Sequence, residues 1–256
     1  MNTFDITLSP PVNLRDLGGI PIEGGTLRTG IAVRADDLAT ITESDASALV
    51  ASGATAVIDL RSTGEVALTG RGPLAGQPAA YHHLPLMADV GEGMSHESMR
   101  DFSHESMGHM YVRMVEAAAP QLATALTVIA LSPGATAFHC AAGRDRTGVL
   151  AAMLLLCLGA SDDDIVTDYA RTGTNMVAIN ERMRPTMGVI LARLGFDLEQ
   201  MAALTEVLTD QRMAVSMQIL LTELRERHGD PLAPVRAAGL ADASIARLRA
   251  RALASV

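Results

Sequence analysis

Over the first half of the chain, apolar residues come in short runs closed by glycine, proline or polar residues. The runs at 31–34, 54–60, 81–86 and 135–139 are β-compatible and predict strands. Between them the apolar spacing lengthens to that of a helix. Thr42 followed three residues on by Asp45 is a variant capping box, and 44–52 continues helically. The stretch 110–131 is long, and Pro120 is predicted to divide it into two helices. Strand alternating with helix predicts an α/β fold: a central, mostly parallel sheet flanked by helices.

After residue 148 the pattern changes. Residues 149–158 are apolar all round and rich in helix formers, so they predict a buried helix. Ser161 before Asp162, Asp163 and Asp164 starts another, with a capping hydroxyl and carboxylates in its first turn. Beyond it the chain reads as almost wholly helical. The whole of 1–256 is expected to form a single domain with a helical C-terminal half. Within that half, 174–217 carries Met176, Met183, Met187, Met201, Met213 and Met217. Flexible thioethers suit a surface that repacks, which predicts a helical lid over a functional cleft. A fixed helical layer is the alternative, since methionine also fills cores.

The predicted strand at 135–139 runs into the predicted helix through His139, Cys140, Ala141, Ala142, Gly143, Arg144, Asp145, Arg146, Thr147 and Gly148. A helix N-terminus presents unpaired N–H groups and the positive end of a dipole, so this loop is built for an anion. The same dipole and the neighbouring cations favour a thiolate at Cys140. Arg146 offers a planar fork that can hold two phosphate oxygens at once. The backbone of Ala141, Ala142 and Gly143 can curl round the remaining oxygens, with Gly143 free to take a positive φ. Thr147 is placed to donate to the cysteine sulfur, and His139 to order the loop through its ring nitrogens.

A cysteine and an arginine separated by five residues, preceded by His and followed by Thr-Gly, resemble the signature of the protein tyrosine phosphatase superfamily. The likeness extends to 13–19 (Asn-Leu-Arg-Asp-Leu-Gly-Gly), 34–38, the Asp59-Leu60-Arg61 triplet and Asp168-Tyr169. These recur in this order in the atypical bacterial tyrosine phosphatases related to the mycobacterial secreted phosphatase B. The resemblance implies a cysteine-phosphatase fold and a metal-independent phosphoric monoester hydrolase working through a phosphocysteine intermediate. It implies tyrosine or dual specificity, with phosphoinositides as alternative substrates; an inositol phosphate, sugar phosphate or other small phosphorylated metabolite is a further alternative, since Arg144 would welcome extra negative charge on such a ligand. It also implies that Asp145 is the general acid. The family usually has lysine where this chain has Arg144, which keeps the charge beside the loop and changes its shape.

Asp89 competes for the acid role, because it follows the predicted strand at 81–86 where other tyrosine phosphatases carry a mobile acid. Arg15, Arg34, Asp59 and Arg61 could surround the pocket at strand ends or form buried structural pairs. The 13–19 motif reads chiefly as scaffold, with Gly18-Gly19 as a turn. A sulfurtransferase would also use a cysteine loop but has little use for Arg146 and Thr147. A phosphate-binding module without catalysis is the remaining class.

Composition narrows the field. The net charge is −9 and all the basic residues are arginine. No basic stretch exists to neutralise a nucleic-acid backbone, and the lysine-dependent phosphate loop and Schiff-base chemistry are excluded. The two cysteines are not expected to pair: a helix would carry Cys157 about 16 Å along its axis from the loop, and a disulfide needs Cα atoms within about 7 Å. His82, His83, His96, His104 and His109, with Ser-His-Glu-Ser-Met repeated at 95–99 and 103–107, admit a metal site. An eight-residue repeat on a helix turns the second histidine by about 80°, which favours a duplicated polar segment instead; no cofactor is expected. The start of the chain lacks a signal-peptide pattern, and no apolar run approaches the roughly 20 residues of a membrane span. A cytoplasmic address is expected, although the resemblance allows export without a classical signal.

Overall fold

The computed structural model describes residues 6–88, 103–193 and 213–253. Among these residues the strands β1 (Arg15–Asp16), β4 (Ala32–Ala35), β5 (Ala54–Asp59), β6 (Ala80–His83) and β7 (Ala135–His139) form one sheet in the order β1-β4-β7-β5-β6. β4, β7, β5 and β6 are parallel, and β1 adds an antiparallel edge. A two-stranded hairpin, β2 (Pro21–Ile22) with β3 (Gly25–Thr26), lies outside it. The sheet is thus the α/β arrangement that the hydrophobic pattern predicts. The edge strand and the hairpin are too short to have a readable period.

β7 occupies the centre and all five of its residues are buried. Ala135 and Ala137 face the smaller core, formed with Leu38, Ile41, Leu49 and Val57, while Phe138 faces the larger one. A strand buried on both faces has no polar side to show, which is why 135–139 reads as a continuous apolar run. The smaller core packs under α1 (Glu43–Ala51), whose Thr42 and Asp45 form the expected capping box. α2 (Thr63–Thr69) begins with a second box, Ser62 with Glu65.

The larger core gathers α3 (His104–Ala117), α4 (Ala119–Leu131), α5 (Asp145–Cys157), α6 (Asp162–Ala170) and the helices that follow. α3 starts six residues before the expected 110, because Ser103 caps it by accepting from the Ser106 amide. The break with α4 falls at Ala118, and Pro120 sits in the first turn of α4, where its missing N–H leaves no carbonyl unmet. α5 is buried almost all round, as its composition requires. α7 (Met176–Arg193), α8 (Ala214–His228), α9 (Ala233–Ala237) and α10 (Asp242–Ala252) complete the described chain. α8 packs on α3 and α6, and α10 on α4.

The 174–217 segment, as far as it is described, does two things. Met176, Ile179, Met213 and Met217 are buried in the larger core. Met183 and Met187, on the intervening helix α7, line a cavity at the end of β7. Met201 lies outside the described residues, as do Asp89 and the first Ser-His-Glu-Ser-Met repeat. Pro185 interrupts the hydrogen bonding within α7.

Candidate active site

The loop from Cys140 to Arg144 joins the C-terminal end of β7 to the N-terminus of α5. Gly143 has φ +68°, and a Cβ there would stand 2.5 Å from the Ala35 carbonyl oxygen, so only glycine lets the loop pass the end of β4. The loop carbonyls are engaged from outside. That of Ala141 accepts the Asp37 amide at 3.0 Å, and that of Gly143 accepts Arg34 Nη2 at 2.8 Å and Asn13 Nδ2 at 3.2 Å. The amides of Ala141, Ala142, Gly143 and Arg144 find no acceptor among the described residues. Successive N–H groups of this kind form a nest for an anion.

Cys140 is buried, and its sulfur accepts the Thr147 hydroxyl at 3.2 Å. Arg146 is clamped end-on by Glu65, Nη1 to Oε2 at 2.5 Å and Nη2 to Oε1 at 2.9 Å. That leaves its Nε–H and one N–H on each terminal nitrogen for another acceptor. Glu65 is itself fixed, since its Oε2 also accepts the Ser62 amide at 2.7 Å. Burial alone would raise the Glu65 pKa, but Arg146 and Ser62 together hold the carboxyl below its ordinary value. On Arg146 burial works against the charge and Glu65 outweighs it, so the guanidinium stays firmly protonated.

His139 is fully enclosed, and burial lowers its pKa so that the ring is neutral. Its Nδ1 lies 3.2 Å from the Leu38 amide nitrogen and 3.3 Å from the Cys140 carbonyl oxygen, and its Nε2 lies 3.7 Å from Asp59 Oδ2, so the ring bridges the loop to the segment after β4 and to the end of β5. Asp59 and Arg61 form a bidentate pair. The remaining Arg61 donors go to Asp37, Thr69 and the Gly70 carbonyl. Arg15 and Arg34 both meet Asp168, at 2.9 and 2.5 Å. Asp59, Arg61 and Arg15 therefore brace the framework, while Arg34 and Asn13 reach the loop itself. The Asn13 to Gly19 motif divides the same way: Asp16 accepts the Gly18 and Gly30 amides at 2.7 Å each and so ties down the turn.

Asp145 opens α5. Its Oδ1 accepts Arg144 Nε at 2.9 Å and the Tyr111 hydroxyl in a short hydrogen bond. Burial would raise its pKa, but Arg144 and Tyr111 more than compensate and keep the carboxyl ionised. The cavity above Ala141 is bounded by Arg61, Glu65, Arg182, Met183, Thr186 and Met187, and only about 20 Å³ remains open in it, room for little more than one water. Arg182 on α7 holds this cover down, donating to Asp36 Oδ2 at 2.6 Å, the Asp37 carbonyl at 2.8 Å and Ser9 Oγ at 3.0 Å.

Comparison with known proteins agrees with this geometry. The profile of the tyrosine phosphatase family matches residues 6–254. The chain belongs to that family. A phosphatase needs an anion site beside its reacting group, and the unpaired amides of residues 141–144 next to Cys140 offer one. A tyrosine-protein phosphatase of Nostoc commune is 35% identical over 139 residues, 54% of this chain and 47% of the relative; the match thus spans less than half of that protein. A Cupriavidus necator protein provisionally named a tyrosine-protein phosphatase is 31% identical over 79% of this chain and 74% of its own. The triple specificity protein phosphatase PtpB of Mycobacterium tuberculosis is 27% identical over 87% of this chain and 91% of its own.

Glu65, Arg182 and Tyr111 are the site neighbours that sequence reasoning missed, while Tyr169 stood in the Asp168-Tyr169 pair without an assigned role. Glu65 had a local signal, the Ser-x-x-Glu of a capping box. The others had none, since nothing near them in sequence names their partners. Among the described residues no three His, Cys, Asp or Glu side chains group as a metal site would need.

Proposed function

We propose that this chain hydrolyses phosphomonoesters through a phosphocysteine intermediate, with phosphotyrosine and other phosphorylated protein side chains as substrates. The observation that carries the reading is what the start of α5 puts beside Cys140: four loop amides with no acceptor among the described residues, the Thr147 hydroxyl 3.2 Å from the sulfur, and an Arg146 close enough to interact with the Cys140 charge. The Cys140 sulfur attacks phosphorus in line, a P–S bond forms, and the P–O bond to the alcohol or phenol breaks. Equatorial oxygens are held by the amides of Ala141, Ala142, Gly143 and Arg144 and by Arg146, where charge develops. Asp145 gives the leaving oxygen its proton. Water then attacks phosphorus, Asp145 takes the water's proton, and the sulfur leaves as a thiolate steadied by Thr147.

The ionised resting state of Asp145 suits the second half of this cycle. In the first half, the charge of the arriving phosphate raises the carboxyl's affinity for a proton. Helix α7 acts as a lid, because the closed cavity is far too small for a phosphate ester and Arg182 is its latch. A wider substrate range is supported by the name of the Mycobacterium tuberculosis relative, a triple specificity phosphatase, and by Arg144 beside the loop.

The test is turnover on phosphotyrosine peptide, phosphoserine peptide, phosphoinositide and sugar phosphates, with acid-quench trapping of phosphoenzyme. A labelled phosphoprotein should form on the wild type and vanish in Cys140→Ser, together with all turnover. Activity surviving in Cys140→Ser would refute the mechanism. Asp145→Asn should slow esters with poor leaving groups far more than those with good ones; equal loss on both would move the acid role to Asp89.

A further inference from the structure

Tyr111 on α3 and Tyr169 on α6 are buried, and each carries a hydroxyl that needs a partner. Their oxygens lie 2.7 Å apart, and Tyr111 donates its proton to Asp145 Oδ1. A phenol has a single proton, so Tyr169 must be the donor to Tyr111. The result is a directed chain, Tyr169 to Tyr111 to Asp145, in which each bond strengthens the next. The fold makes room for it. A Cβ on Gly148 would stand 2.9 Å from Tyr169 Cδ2 and Cε2, so the ring fits only because α5 has no side chain there. The rings meet edge to face, with centroids 6.1 Å apart. α3 also supports the other partner of Asp145, since Met107 Sδ lies 3.6 Å from Arg144 Nη2.

Both donors to the carboxylate, Tyr111 and Arg144, use Oδ1. Oδ2 accepts nothing among the described residues. We propose that Tyr111, backed by Tyr169, is a positioning residue that fixes Asp145 by Oδ1 and presents Oδ2 as the atom that carries the proton. The proposal rests on the reading of Asp145 as proton carrier. The charged and titratable groups facing that carboxyl are Arg144 and Arg146 from its own loop and helix, Tyr111 from α3 and Tyr169 from α6, with Arg34 of β4 behind Tyr169.

Tyr111→Phe removes the donor and keeps the ring. Because that donor favours the ionised form, the Asp145 carboxyl should then take its proton about one pH unit higher. Tyr169→Phe should move it the same way and less. The midpoint is read on the full-length protein by infrared or carbon-13 titration, with Asp145→Asn identifying the signal. A midpoint unchanged in both variants overturns the proposal, even if melting temperature falls, because a purely structural role would lower stability alone. If Tyr111→Phe does not fold, the Tyr169→Phe midpoint decides. The leaving-group comparison on Asp145→Asn separates the two claims. Equal loss on good and poor leaving groups, with a shifted midpoint in Tyr111→Phe, removes the acid reading and leaves the positioning intact.

Discussion

Arginine–carboxylate pairs behave differently in the sheet-bearing part of the molecule and in its helical C-terminal half. Around the loop, Arg34–Asp168, Arg61–Asp59 and Arg146–Glu65 are almost wholly enclosed, and every partner makes several directed hydrogen bonds. On the helices, Arg225–Asp162 leaves both side chains 41% exposed, and Arg236–Asp242 leaves its aspartate 88% exposed. Water competes for the outer pairs and screens them, even where Arg225 meets both oxygens of Asp162. The inner pairs lost much hydration on burial, so they are weak evidence of net stability. What they supply is orientation: one fork aimed at the cysteine loop, one carbonyl of that loop held outward, one strand end tied to its neighbour.

The strongest test of this contrast is Glu65→Ala. It strands a buried guanidinium, and breaking such a pair should destabilise the protein by about 3–5 kcal/mol. A mis-set Arg146 should also lower kcat/KM by about 100-fold or more. Chemical denaturation and turnover of an aryl phosphate give both numbers. A loss under about 1 kcal/mol would put the inner pair in the same class as the outer ones.

Acid should act on the inner region first. His139 has a lowered pKa in the fold, so the unfolded chain binds its proton more readily, and stability begins to fall as pH drops below the ordinary histidine value of 6.5. Asp59, Glu65, Asp145 and Asp168 are also held below their ordinary values. Their contributions are complete above about pH 5 and are lost as pH falls through the unfolded and then the folded values, by up to a few kcal/mol each. Denaturant midpoints measured from pH 8 to pH 3 should fall with a slope that steepens below about pH 4. A profile flat below about pH 5 would show that burial cancels pairing at these carboxyls, and a rise in stability there would show that burial outweighs it.

Gly148→Ala sharpens the contrast at a smaller scale. The new methyl meets the Tyr169 ring, and overpacking should remove about 1–3 kcal/mol, although alanine is the better helix former. Arg225→Ala should change stability by less than about 1 kcal/mol, and by less still at high salt. Melting curves check both, and an Arg225 effect equal to that of Gly148 would erase the distinction.

Much of the sheet and the whole cysteine loop could be read in advance, because each signal there is local. β7 announces itself as a short apolar run, α1 by its capping box, and the loop by residues that are neighbours in sequence. The bracing is not local. Arg146 and Glu65 are 81 residues apart, Tyr111 and Asp145 are 34 apart, and Tyr111 and Tyr169 are 58 apart. Periodicity locates a helix but cannot choose which of its polar residues will meet a partner on another element. α3 shows the same limit at its start, where a serine cap outweighed a weak apolar pattern. The methionine-rich segment was legible only in its ambiguity, because its ends are core and its described middle covers the cavity.

Because Arg146 already shares its charge with Glu65, an anion entering the loop meets a partly neutralised cation. In the proposed cycle, inorganic phosphate is then retained mainly by peptide dipoles and leaves readily. Inhibition by accumulated product should stay shallow, and the vacated nest is ready for the next ester without rearranging its arginine.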